Sequence, residues 1–160
     1  MRILTNSLAS NDVPAVNSHY REWRAKLIGA GAELYELRAD AQIRPLVDTP
    51  PVQGGFVSLH SKATVVDRRY VFIGSMNLDP RSADTNTEGG VFIDSPSLAQ
   101  ELAELTEREM APINAWRVRL DDEGQLYWIN SDDTLRRQPA RNIFQRIMDV
   151  FFRAFPKEYY

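Results

Sequence analysis

A chain of 160 residues, 43% hydrophobic and 26% charged, falls within the ~100–200 residues of an ordinary domain and can bury a core, so one globular domain is expected. The net charge of −3 argues against a nucleic-acid binder that works through a blanket of phosphate contacts, and the lack of cysteine removes disulfides, thiolate nucleophiles and cysteine zinc sites. No run approaches the ~20 apolar residues of a membrane span and no charged segment leads into an apolar signal stretch, so a cytoplasmic protein, soluble or peripheral, is expected.

The chain opens abruptly. Arg2-Ile3-Leu4-Thr5-Asn6-Ser7-Leu8 has strand character directly after the first Met, as if a piece were missing upstream. Asn11-Asp12-Val13-Pro14 pairs a capping residue with a proline, the chemistry of a helix start, and a helix is expected from there to Gly29, with Gly29 and Gly31 stopping it. Glu33-Leu34-Tyr35-Glu36-Leu37 alternates polar and apolar residues, which completes a strand, helix, strand unit with parallel pairing. Residues 40–55, with Pro45, Pro50, Pro51, Gly54 and Gly55, are expected to form a loop.

The chemistry is concentrated between Phe56 and Asp94. Phe56-Val57-Ser58-Leu59 and Ala63-Thr64-Val65-Val66 flank His60-Ser61-Lys62 as strand, and strand alternation would point His60 and Lys62 the same way. Asp67-Arg68-Arg69 has turn character, Tyr70-Val71-Phe72-Ile73 is the returning strand, and Gly74-Ser75-Met76-Asn77 leaves its end. A loop with Asp79-Pro80-Arg81-Ser82 and Asn86-Thr87-Glu88 follows, then another strand at Gly90-Val91-Phe92-Ile93. An imidazole can attack phosphorus, a lysine ammonium and a side-chain amide can hold non-bridging oxygens, and a serine hydroxyl can donate one more hydrogen bond. A carboxylate, Glu88 or Asp67, would fix the histidine tautomer. Nothing in this set requires a metal or a cofactor. Arg81, Asn86 and His19 have the character of ordinary loop or helix residues.

Downstream, Ser95-Pro96-Ser97 caps a helix to about Met110, with Leu98, Leu102 and Leu105 on its packing face. Trp116–Leu120 and Gln125–Ile129 flank Asp121-Asp122-Glu123-Gly124 as a hairpin. Residues 143–155 carry apolar residues at helical spacing beside arginines, an amphipathic helix. Such a helix suits an anionic membrane surface, with Phe151, Phe152 and Phe155 inserted and Arg141, Arg146, Arg153 and Lys157 near headgroups; it equally suits docking on its own domain.

The spacing His60-x-Lys62-x4-Asp67-x6-Gly74-Ser75-x-Asn77 resembles the signature of the phospholipase D superfamily at every specified position, a coincidence on the order of 10⁻⁸ per starting position for six fixed residue types. Thr5–Asp12, Leu34-Tyr35-Glu36-Leu37 and Asn77–Ser82 are similar to the C-terminal lobe of bacterial cardiolipin synthases, so the resemblance covers nearly the whole chain. It implies an α/β fold: a phospholipase D-like lobe over 1–130, with a mixed β-sheet flanked by helices and closed by the hairpin, then a tail over 131–160 with the amphipathic helix.

The resemblance also implies roles. His60 would be the nucleophile or the acid, Lys62 and Asn77 would grip the phosphate with it, Ser75 would support it, Glu88 would orient the histidine and Asp67 would fix local architecture. The implied reaction is phosphatidyl transfer between phospholipids through a phosphohistidine, with no metal and no cofactor. Sites of this superfamily pair two such motifs, and only one is present, because His19 has no lysine two residues later. The chain is therefore expected to be the C-terminal half of a two-motif enzyme. The alternatives are a homodimeric phosphodiesterase or nuclease and a catalytically incomplete interaction module. Expected partners are phospholipid substrates, a second motif-bearing lobe and a membrane surface met through 141–157, placing the protein on the inner face of a bacterial membrane rather than on nucleic acid.

Overall fold

Arg2–Asn6 forms β1 and Glu33–Leu37 forms β2, and the two pair in parallel with Arg2 opposite Glu33, as the alternating pattern predicts. These and all other features come from a computed structural model that describes residues 1–48, 51, 54–77, 82 and 84–154, the side chains of Pro14 and Ala15 apart. The loop residues Asp79, Pro80 and Arg81, with Pro50, Phe155 and Lys157, lie outside the described residues. The described residues divide into two compact units, Met1–Leu59 together with residues 108–154, and His60–Glu107.

In the first unit the connection from β1 to β2 is helical but not one helix. α1 spans Pro14–Tyr20 and α2 spans Trp23–Gly29. Arg21 and Glu22 between them keep right-handed helical dihedrals, while the winding tightens so that the Glu22 N–H bonds the His19 carbonyl at 3.3 Å. Side-chain spacing does not signal such a change of winding. The rest of the sheet is antiparallel: β6 (Ala115–Leu120) lies beside β2, followed by β7 (Leu126–Ile129) and the two-residue β8 (Thr134–Leu135). The hairpin of β6 and β7 is the expected one, and β8 is an addition to it. Leu34, Trp116, Val118 and Trp128 form the core, with Ile3, Tyr20, Leu27 and Ile28 packed on them. A single helical turn, α3 (Arg44–Val47), interrupts the expected loop.

Phe56–Leu59 is not a strand. The Val57 N–H bonds the Ala39 carbonyl at 3.0 Å, and Leu59 is held at both its N–H and its carbonyl by the Asn6 amide, each at 2.8 Å. A side chain and a loop carbonyl thus satisfy this stretch in place of a ladder.

A buried polar network ties this unit together. Glu36, fully buried on β2, accepts from Arg24 Nε at 2.5 Å, Tyr20 OH at 3.0 Å and Trp128 Nε1 at 2.7 Å. Burial lowers the Arg24 pKa, but the charges of and hydrogen bonds to Glu36 and Tyr20 together outweigh it and hold the guanidinium above its usual value. Burial, seconded by the Glu36 charge, pushes the Tyr20 phenol well above its ordinary range. Arg24 also donates to Gln138 and Asn17, and both of these donate to Asp149 of α5 (Ile143–Phe152), at 2.9 and 2.6 Å. One chain of bonds therefore links β2, α2, α1 and α5.

The second unit is an antiparallel meander of β3 (Ala63–Val66), β4 (Tyr70–Gly74) and β5 (Gly90–Asp94), leading into α4 (Pro96–Glu109). Ser95 caps α4 by accepting the Leu98 N–H at 3.3 Å. Val71 and Ala99 are fully buried, with Leu98, Leu102 and Leu105 half-buried around the same helix. Among the described residues no helix is long and apolar enough to cross a membrane. The whole is the mixed α/β architecture expected from the sequence.

Candidate active site

All six residues singled out by the sequence fall in the unit His60–Glu107. His60 and Lys62 run into β3 without belonging to it, so sheet alternation does not define their directions. The Lys62 Nζ folds back to donate to the His60 carbonyl at 2.8 Å. The Lys62 carbonyl accepts the Gly74 N–H at 3.0 Å, which extends the β3–β4 pairing and brings the Lys62 main chain beside Gly74-Ser75.

Ser75 and Glu88 meet at that same end of β4, just beyond the last β4–β5 pair, Gly74 and Gly90. The Ser75 N–H bonds the Gly89 carbonyl at 2.9 Å, the Gly89 N–H donates to Ser75 Oγ at 3.1 Å, and Ser75 Oγ donates to Glu88 Oε2 at 2.5 Å. Asn86 Nδ2 donates to Glu88 Oε1 at 3.2 Å. Hydrogen bonds from Ser75, then from Ser82 and Asn86, with the Lys62 charge adding to them, hold the Glu88 carboxyl below its usual range against a smaller opposing effect of burial. Glu88 is thus an ionised acceptor whose described hydrogen bonds go to the serine side of the motif; none joins it to the His60 ring. His60, Ser75 and Asn77 are exposed, while Lys62 and Glu88 are half-buried.

Gly74 is required by close approach. A Cβ there would stand 2.8 Å from the Gly89 carbonyl oxygen and 2.9 Å from Phe72 Cζ. Its cross-strand partner Gly90 would meet the same ring at 2.5 Å, so Phe72 lies over a floor made of two glycines.

Asp67 stands apart. It and Arg68 take left-handed backbone, φ 52° and 51°, in the β3–β4 turn. With β3 between them, Asp67 is five residues from Lys62 along extended chain, roughly 16 Å. Arg68 ties the turn to α4 by donating to Gln100 at 3.1 Å and Glu107 at 3.0 Å. The structure therefore gathers Lys62, Gly74, Ser75 and Glu88 and leaves Asp67 at the far end of the hairpin.

Two asparagines carry more than sequence reasoning gave them. Asn86, of ordinary loop character in the sequence, holds the second oxygen of Glu88. Asn6 clamps the peptide group that immediately precedes His60 and itself accepts from Ser10 Oγ at 3.1 Å. A polar Asn-Ser pair closing an apolar strand was its signal. Among the described residues no group of three or more His, Asp or Glu is placed to hold a metal ion. What the arrangement offers is the Lys62 ammonium held at the His60 main chain and a Ser75 hydroxyl fixed by an ionised carboxylate, groups of the kind that hydrogen-bond phosphate oxygens.

The family model for "Cardiolipin synthase, PLD-like domain" matches residues 1–110. Cardiolipin synthase C of Escherichia coli (strain K12) is 38% identical over 162 residues, 98% of this chain and 34% of that protein. An uncharacterized protein of Helicobacter pylori (strain J99) is 32% identical over 163 residues, 98% of this chain and 31% of that protein. A second uncharacterized protein, from H. pylori strain 26695, is 36% identical over 131 residues, 80% of this chain and 22% of that protein. The chain thus spans about a third or less of the length of these relatives. No solved structure gives a significant match. By the span of the family match and by its identity to a cardiolipin synthase, the chain belongs to the family of phospholipase D-like domains of the cardiolipin synthase kind.

Proposed function

We propose that this chain supplies one half of a phosphatidyl-transfer site that moves a phosphatidyl group from one phospholipid to an alcohol of a second. The observation that supports this reading is the motif from His60 to Asn77 within a chain that matches the cardiolipin synthase PLD-like domain, the Lys62 main chain adjoining Gly74-Ser75 and Ser75 bonded to Glu88. In the first step an imidazole nitrogen attacks phosphorus, the bond to the leaving alcohol breaks, and a histidine of the second motif protonates the departing oxygen. In the second step that histidine takes the proton of the acceptor hydroxyl as its oxygen attacks phosphorus and the P–N bond breaks. His60 fills one of the two histidine roles. Lys62 and Asn77 hold the non-bridging oxygens, Ser75 supports them, Glu88 fixes Ser75, and Asp67 shapes the turn.

The second motif comes from another lobe. A longer chain of the cardiolipin synthase C kind is the first source, since the present chain matches only 34% of that protein. A lipid substrate places the work at a membrane, with the protein peripheral on its inner face.

The test incubates the chain, and separately the chain joined to a lobe with a second motif, with vesicles of phosphatidylglycerol and phosphatidylethanolamine. Product lipid and mass in solution are measured for wild type and His60→Ala. Activity that needs the second lobe and disappears in His60→Ala is expected. Activity from a dimer of the chain alone would replace the missing lobe by a second copy. Inactivity in both arrangements, with folding intact, would overturn the enzymatic reading in favour of an interaction module.

A further inference from the structure

The helix α5 sits on its unit the opposite way round from an ordinary amphipathic helix. Its polar residues Gln145 and Asp149 are 4% and 1% exposed, whereas Ile143, Phe144, Ile147, Val150 and Phe151 are between 53% and 72% exposed. These five follow helical spacing and form one continuous stripe.

The inward polar side is held by specific bonds. Gln145 Nε2 donates to the carbonyls of Leu8 and Asn11, and its Oε1 accepts the Arg141 N–H at 2.9 Å. Asp149 accepts from Asn17 and Arg153, each at 2.6 Å, and from Gln138 at 2.9 Å. Turning the stripe inward would break the bonds to the Leu8 and Asn11 carbonyls, Asn17 and Gln138, and leave Asp149 only its neighbour Arg153. The apolar face is therefore presented by design of the polar one.

Charge identifies what the stripe meets. From Arg137 to Arg153 the chain holds four arginines and one carboxylate, Asp149, and that carboxylate is buried and paired with Arg153. Every uncompensated charge on this segment is positive, within a chain whose net charge is −3. Arg141 also donates to the Asn11 carbonyl and lies over the Phe56 ring, which fixes its position at the helix start. An apolar stripe on a segment whose uncompensated charges are all guanidinium groups complements a surface whose interior is hydrocarbon and whose rim is phosphate. A second copy packed by a twofold axis would bring the same cations together, which opposes self-association.

We propose that the outward face of α5 docks the protein on an anionic lipid bilayer, with Ile143, Phe144, Ile147, Val150 and Phe151 entering the acyl boundary and Arg137, Arg141 and Arg146 at the phosphates. This names the surface behind the peripheral position proposed above, but it needs no catalysis, so His60→Ala should bind vesicles as wild type does.

The test is flotation with vesicles of phosphatidylcholine containing or lacking phosphatidylglycerol. Wild type should float with the anionic vesicles and bind the neutral ones about tenfold more weakly, with added salt reducing the difference. Phe144→Glu/Ile147→Glu should lose binding by about tenfold or more while its thermal unfolding stays unchanged, because both positions are already exposed. Since the chain has no cysteine, Ile147→Cys takes a single environment-sensitive label, which should report an apolar setting on vesicle addition while a label at exposed Glu101→Cys does not. Retained binding in the double glutamate variant, an unresponsive label at 147, or a dimer formed through this face in place of vesicle binding would each overturn the proposal.

Discussion

Replacing Glu36 with alanine should remove a large share of the stability of the first unit. Glu36 is fully buried and accepts three hydrogen bonds, and Arg24 beside it is 1% exposed. The variant leaves a buried guanidinium without its counter-ion and leaves the Tyr20 hydroxyl and Trp128 indole N–H without an acceptor. Removing one partner of a buried pair costs about 3–5 kcal/mol, against about 5–15 kcal/mol for a whole domain. With a urea dependence of about 2 kcal/mol/M, the unfolding midpoint should fall by about 1.5–2.5 M. Tryptophan fluorescence reads the transition directly, because Trp128 belongs to the network. The companion variant Arg24→Leu/Glu36→Leu should recover a good part of the loss, since it removes both charges together. A midpoint shift below about 0.5 M for Glu36→Ala, or no recovery in the pair, would refute the account of this network as a matched set of charges.

Other outcomes test the site. Ser75→Ala should raise the Glu88 carboxyl toward its ordinary range, read by carboxyl NMR titration; because the folded value is depressed, the contacts of Glu88 are complete at neutral pH and are lost as pH falls through that depressed value. An unmoved Glu88 titration in that variant would remove Ser75 as its main partner. Gly74→Ala should lower stability by about 1–3 kcal/mol through overlap with the Gly89 carbonyl and Phe72, whereas Gly55→Ala, which meets nothing, should leave the thermal midpoint in place. Asn6→Ala should cost about 1–3 kcal/mol and speed hydrogen exchange at the Leu59 amide, the group that the Asn6 carbonyl oxygen holds.

Local pattern determined much of this protein. Period-two alternation in Glu33–Leu37 and the runs around Tyr70–Ile73 and Gly90–Ile93 specify strands because a pleated chain half-buried on one face admits little else. The motif was legible because its chemistry sits at fixed offsets along one short hairpin, where chain distance and spatial distance nearly coincide. Asp67 shows the limit within that same hairpin, since equal sequence proximity places it at the turn, away from Ser75 and Glu88.

The tertiary structure decided what spacing cannot express. Whether Phe56–Leu59 pairs as a strand depended on Asn6, more than fifty residues away, taking both polar groups of Leu59. The break between α1 and α2 depended on winding rather than on residue type. The facing of α5 is the clearest case: its hydrophobic stripe is plain in the sequence, but periodicity is blind to rotation about the helix axis. The side that turns inward was chosen by carbonyls of Leu8 and Asn11 and by the side chains of Asn17 and Gln138, groups brought to one place only by the folded chain, because a buried amide and carboxylate must find partners while an exposed isoleucine need not.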